Sequence, residues 1–186
     1  MMKIEPVVFP EVFNYEDETC KAVLAKKKSI KNFKFSNQSS LSKVNELAYL
    51  LMIFNRKDEA YKVCDFMSKA EFDGNFNLWS WVERTLALKA RILREMGRTE
   101  EAIAEIKRIA EAGFVKTRIR GELLNNDKIK NAIEDNDKTA ERDWRLIQLE
   151  ELCFIIEVGK YSGINVEKYE YAFDQNMIEL RRIFNV

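Results

Sequence analysis

The stretch that decides the fold of this chain is Glu95-Met-Gly-Arg-Thr-Glu-Glu-Ala-Ile-Ala-Glu-Ile106, because an earlier stretch carries the same pattern. The earlier one is Phe54-Asn-Arg-Lys-Asp-Glu-Ala-Tyr-Lys-Val-Cys64, whose matching residues come 42 positions before their counterparts. Near its start each stretch carries a residue that ends a helix, Asn55 in the earlier stretch and Gly97 in the later one. The pattern therefore predicts two helical hairpins of similar design.

The similarity extends over 29 aligned positions when residues 44–72 are overlaid on 86–114 without gaps. Small residues recur at the same places, as is needed where two helix backbones approach closely. The seven identical pairs are Ala48/Ala90, Leu51/Leu93, Arg56/Arg98, Glu59/Glu101, Ala60/Ala102, Ala70/Ala112 and Phe72/Phe114. Most other apolar positions keep their character, so the overlay favours a structural repeat over chance; the alternative is an unrelated helical bundle.

This pattern resembles the tetratricopeptide repeat (TPR), which consists of helix–turn–helix units with alanines at fixed places. The first copy would place Val44, Leu47, Ala48, Leu51, Ala60, Cys64 and Phe72 at the signature positions. The second would place Leu86, Lys89, Ala90, Leu93, Ala102, Ile106 and Phe114 there. Lys89 departs from the signature, and the interval of 42 exceeds the usual 34, which implies about eight extra residues around 71–78. The resemblance implies two degenerate repeats, near 41–72 and 78–114.

The remaining sequence predicts an all-α chain of about eight helices without a sheet. A first helix is expected to begin near Glu16 and end near Lys28, because acids at its start and bases at its end would oppose the helix dipole. We predict a single domain, 1–186, with an extended N-terminal arm (1–14), helical hairpins (15–114), short helices and a loop (115–138), and a C-terminal helical hairpin (139–186) that caps the stacked repeats.

Composition narrows the classes of function. The chain has 31 basic and 31 acidic side chains, so no long-range field attracts nucleic acid or an anionic membrane, and we predict neither as a partner. It has no histidine, which removes the commonest general base and most helical metal sites. We therefore predict no cofactor, no metal and no catalytic residue; the alternative is an enzyme that depends on carboxylates or lysine.

A stacked array of hairpins exposes the first helix of each pair along a concave groove. The stripe predicted to line that groove and bind a partner consists of Asn45, Tyr49, Met52, Arg84, Arg91 and Arg94. Guanidinium groups suit carboxylates, so the stripe predicts an acidic or C-terminal peptide. The alternative is that the arginines pair with Glu83, Glu95 or acids of neighbouring helices, or are simply solvated.

The sequence thus predicts a non-catalytic bacterial scaffold in the cytoplasm that binds a protein or peptide in a concave helical groove. Two alternatives stay open among binding proteins. One is an immunity-type protein that neutralises a cognate toxin, and the other is a homodimer formed through an open end of the array.

Overall fold

The computed structural model of the protein describes residues 11–111 and 125–186. Within these ranges the regular structure is a 3-10 turn at Glu11–Phe13 and eight α-helices, and there is no strand. The helices are α1 (Lys21–Ser29), α2 (Gln38–Ile53), α3 (Lys57–Met67), α4 (Phe76–Glu95), α5 (Thr99–Glu111), α6 (Asn126–Glu134), α7 (Lys138–Tyr161) and α8 (Glu167–Phe184). The all-α prediction is therefore confirmed for the described chain. The predictions that involve residues 112–124 lie outside it.

Helices α2 and α3 form one hairpin, α4 and α5 form a second, and α2 packs beside α4. The two turns have the same geometry. Asn55 and Gly97 both take the left-handed backbone conformation, with φ of 59° and 79°. The next residues, Arg56 and Arg98, each donate the backbone N–H to the carbonyl five positions earlier, at 2.8 Å in both turns. This hydrogen bond satisfies a carbonyl that a helix end would otherwise leave without a partner.

Helix α7 forms the centre of the molecule. From Gln148 to Gly159 every residue is buried except Glu151, so this part of the helix is covered on all sides. Gly159 permits a close approach, because a Cβ there would lie 2.8 Å from Cγ1 of Val166. Helix α7 continues past Gly159 to Tyr161, and the chain turns at Gly163, where φ is 74°.

Helix α8 returns from the end of α7 to the first hairpin. The rings of Phe54 and Phe184 lie 5.4 Å apart, and Arg181 Nε donates a hydrogen bond to the carbonyl of Ile53 at 3.0 Å. The last helix of the chain therefore packs against the end of α2.

The N-terminal segment packs against the first hairpin. Val12 and Phe13 are buried, and the Phe13 ring meets the Phe66 ring edge-on at 5.1 Å. The predicted extended arm is thus replaced at residues 11–13 by a docked turn, while residues 1–10 lie outside the described chain.

The start of the first helix was predicted wrongly. Helix α1 begins at Lys21, and the acids expected in its first turn lie before it. One of them, Glu18, accepts hydrogen bonds from Arg56 and Lys27. Its charge therefore serves a tertiary contact, which the dipole argument could not detect.

Candidate functional site

The stripe predicted from the sequence lies together on α2 and α4, but it is largely buried. Asn45, Tyr49 and Met52 are 0%, 1% and 8% exposed, and Arg91 is also buried. Only Arg94 has a substantially exposed side chain, at 34%. The stripe is not open to solvent because the C-terminal hairpin lies over it.

Arg84 is held by acids of α7. Its guanidinium lies 3.3 Å from Glu150 Oε2 and 2.5 Å from Glu151 Oε1, and it stacks over the Trp81 ring at 4.7 Å. The hydroxyl of Tyr49 donates to the backbone carbonyl of Arg84 at 2.8 Å. The buried hydroxyl of Tyr49 is therefore satisfied within the chain, and both Nη atoms of Arg84 pair with carboxylates, whereas its buried Nε makes no hydrogen bond.

The other two arginines share one buried carboxylate. Arg94 donates from Nη2 and Nε to the two oxygens of Glu157, at 2.7 and 3.2 Å. Arg91 Nη1 lies 3.5 Å from the same carboxylate, and the guanidinium stacks over the Phe173 ring at 4.0 Å. Opposite charges at contact distance offset part of the cost of burying Glu157.

These contacts correct the expectation of an open groove. The arginine stripe does meet acidic side chains, but they belong to α7, as the alternative interpretation proposed. The sequence contained a signal for this pairing, since Glu150 and Glu157 are seven residues apart, as are Arg84 and Arg91. Two parallel helices with matched seven-residue spacing bring such pairs together.

Burial raises the pKa of Glu150 from 4.5 to about 8, against the opposing effect of the Arg84 charge. This carboxyl lies at the wall of a cleft of about 280 Å³ between α1, α2 and α7. A carboxyl that stays protonated at neutral pH can act as a general acid. The charged groups at the rim are already matched, because Lys26 pairs with Glu46 and Arg142 with Asp143. The cleft thus presents one buried carboxyl with a raised pKa, which Arg84 contacts at 3.3 Å.

The thiols at the centre are poor nucleophiles. Cys64 and Cys153 are both fully buried, and burial raises the pKa of each thiol, that of Cys153 to about 12. A thiol becomes a good nucleophile only when its pKa is lowered. Among residues 11–111 and 125–186, no group of three or more potential ligands is placed to hold a metal ion. No helix in those ranges is long and apolar enough to cross a membrane.

One end of the groove stays open, and we call it the groove-end cavity. It has a volume of about 320 Å³ and lies where the first hairpin turn, the end of α4 and helix α8 meet. Its lining consists of Met52, Asn55, Lys57, Arg91, Glu95, Phe173, Asp174, Met177 and Arg181. Two members of the predicted stripe, Met52 and Arg91, therefore do border a space that a ligand could enter.

Arg91 has unused hydrogen-bonding capacity at this cavity. Its Nη1 atom is buried and makes no hydrogen bond, although it lies 3.5 Å from the Glu157 carboxylate in an ion pair. Its Nε atom lies 3.4 Å from Glu95, which Lys57 also contacts at 2.8 Å. An unused guanidinium N–H in a buried place is costly and is best satisfied by an oxygen acceptor.

The chain belongs to a family of unknown function (DUF6707), whose model matches residues 8–182. The match therefore covers the N-terminal turn, both hairpins and almost all of the C-terminal hairpin. No curated protein and no solved structure matches the chain.

Proposed function

We propose that this protein is a non-catalytic binding module built on TPR-like helical hairpins, and that an acidic segment of a partner protein enters the groove-end cavity. The observation that carries the proposal is the buried guanidinium of Arg91, which lines this cavity and whose Nη1, 3.5 Å from Glu157, makes no hydrogen bond.

The repeated turn geometry supports the TPR-like part of the proposal. The alanines that the repeat requires, Ala48 and Ala90 on the first helices and Ala60 and Ala102 on the second, are all buried. Lys89 departs from the signature of the repeat, and this departure has a physical reason. Its ammonium bonds to Glu105 on α5 at 2.7 Å, so its stem crosses the packed interface and its charge is matched at the edge.

The shape and chemistry of the cavity support a peptide ligand. Met52 and Met177 supply flexible apolar surface, which adapts to different side chains. Lys57 and Arg181 add cations beside Arg91, whereas Glu95 and Asp174 are the acids of the lining. An entering carboxylate would approach the guanidinium of Arg91 and the ammonium of Lys57, both of which also contact Glu95.

The test is a pull-down from the native lysate with charge variants at the mouth of the cavity. Lys57→Glu should reduce capture of an acidic partner, because it places a negative charge where the ligand binds. Asp174→Lys should increase capture for the opposite reason. Lys62→Glu is the matched control, because Lys62 is exposed on the same helix as Lys57 but does not line the cavity.

Circular dichroism first establishes that the variants fold equally. Opposite effects of Lys57→Glu and Asp174→Lys on one captured protein, with no effect of Lys62→Glu, would support the proposal. Identical capture by all four proteins would place the binding surface elsewhere. The identity of the captured protein also separates a scaffold from an immunity-type protein, since the latter would retain a single toxin.

A further inference from the structure

The connector between the two hairpins carries an exposed aromatic surface. Phe72 and Phe76 are 38% and 40% exposed, and their rings lie 4.9 Å apart. The Phe72 ring also meets the buried Trp79 ring edge-on at 5.5 Å. We call these three residues the aromatic ledge. Single exposed apolar side chains are ordinary, but two exposed rings in contact form a continuous apolar patch.

The connector is the place where the sequence has about eight residues more than a standard repeat interval. Its backbone is held in position by Arg108 of α5, which donates hydrogen bonds to the carbonyls of Ser68 and Ala70. The side chain of Asp73 accepts from the N–H of Asn75 at 3.0 Å. The aromatic ledge is therefore presented on a fixed backbone, which lowers the entropy cost of binding.

A cleft of about 350 Å³ adjoins the ledge. Its apolar lining consists of Phe35, Leu41, Ala70, Leu78, Trp79 and Val82. Its polar lining is Ser36, Lys69, Glu71, Asp73 and Asn75. The cleft thus combines an apolar interior with a polar rim, the usual form of a site for a side chain of a partner.

The charges of the rim select the ligand. Glu71 and Asp73 are exposed beside the ledge, whereas Lys69 is the cation of the lining and lies 5.8 Å from the centre of the Phe66 ring. Two carboxylates and exposed aromatic faces together attract a cation, since the ring faces carry negative potential.

We propose that the aromatic ledge and its cleft bind a basic, apolar peptide segment. The cation of an arginine or lysine would lie over Phe72 and Phe76 beside Glu71, and a neighbouring leucine-like side chain would enter the cleft between Leu41 and Leu78. This inference rests on the proposed role as a binding protein but on none of the residues of the groove-end cavity, and its ligand has the opposite charge.

The test uses a fluorescein-labelled peptide of alternating arginine and leucine, with fluorescence anisotropy as the measurement. The full chain should bind this peptide, and a peptide of alternating glutamate and leucine should not bind. Replacing both Phe72 and Phe76 with alanine should weaken binding by about tenfold. Glu71→Lys should weaken it by about threefold, because the exposed charge acts through solvent.

Tyr171→Ala is the control, because Tyr171 is a more exposed aromatic residue on α8, at 69%. Unchanged binding by this variant would show that the effect belongs to the ledge. The proposal is overturned if the arginine peptide does not bind, if both peptides bind equally, or if the double alanine variant binds as well as the natural chain. The charge changes at Lys57 and Asp174 should leave this peptide unaffected, so the two binding proposals can fail separately.

Discussion

The two hairpins share a turn but differ in what covers it. Arg56 follows the first turn and binds both oxygens of Glu18, each at 2.7 Å, while Phe54 packs on Phe184. At the equivalent places of the second turn, Arg98 pairs with its neighbour Glu101 and lies 5.6 Å from the centre of the Tyr61 ring, and Met96 is 48% exposed. The local sequence determines the shape of each turn, and distant segments determine its burial.

Three sets of substitutions test how far the two hairpins are equivalent in their contributions to stability. The largest effects are expected in the core, where the hairpins should respond alike. Leu51 and Leu93 occupy equivalent places and are 0% and 1% exposed. Leu51→Ala and Leu93→Ala should each lower the free energy of unfolding by about 3 kcal/mol, since each leaves a cavity in a packed interior. Urea titration at neutral pH measures both. A loss well under 1 kcal/mol for either one would mean that the two interiors are packed differently.

The second set of substitutions should affect the stability of the two hairpins differently. Arg56→Ala leaves the buried carboxylate of Glu18 without its main partner, so we expect a loss of about 2 kcal/mol. Arg98→Ala removes an exposed contact, and its urea midpoint should stay close to that of the natural chain. Equal losses of unfolding free energy in the two variants would show that Glu18 does not stabilise the first turn.

At acidic pH the natural chain and Arg56→Ala should have the same free energy of unfolding. The guanidinium of Arg56, with smaller effects of other partners, lowers the pKa of Glu18 from 4.5 to about 2. Because the folded state binds this proton less readily, the stabilisation is complete above pH 4.5 and is lost as the pH falls toward 2. Unfolding curves at several pH values should therefore converge in this range. A constant difference would assign the effect of Arg56 to packing.

The smallest effects are expected at the turn residues themselves. Asn55→Ala and Gly97→Ala should each cost about 1 kcal/mol, because alanine is strained in the left-handed conformation. The space around a Cβ at Gly97 is empty within 4 Å, so no clash adds to that strain. Gly97→Asn should cost less than Gly97→Ala. Thermal unfolding of the three variants measures the series, and a large loss at Gly97 would contradict an open second turn.

The parts of the fold that were predicted from the sequence depend on local signals. Asn55 and Gly97 end their helices as expected, and Tyr169, Phe173 and Met177, which recur at intervals of four residues, form a buried stripe on α8. A helix end and an amphipathic stripe are both encoded within a few residues. The all-α class followed from such signals.

Local sequence signals could not predict that the C-terminal hairpin covers the groove. The sequence placed Arg84, Arg91 and Arg94 on one helix face, and this was correct, but it could not show which segment covers that face. The acids that bind them lie more than 60 residues later in the chain. The wrong start of α1 has the same origin, because Glu18 pairs with Arg56 across 38 positions.

The hydrogen bonds from Arg181 to the end of α2 join residues 128 and 129 positions apart. The ribosome synthesises the first hairpin long before it synthesises α8. The surface that α8 covers is therefore exposed to solvent until synthesis reaches α8. Contacts of such long separation also form late in folding, since a long loop must close first. The nascent chain therefore passes through a stage in which the end of α2, which Arg181 contacts in the finished protein, is still exposed.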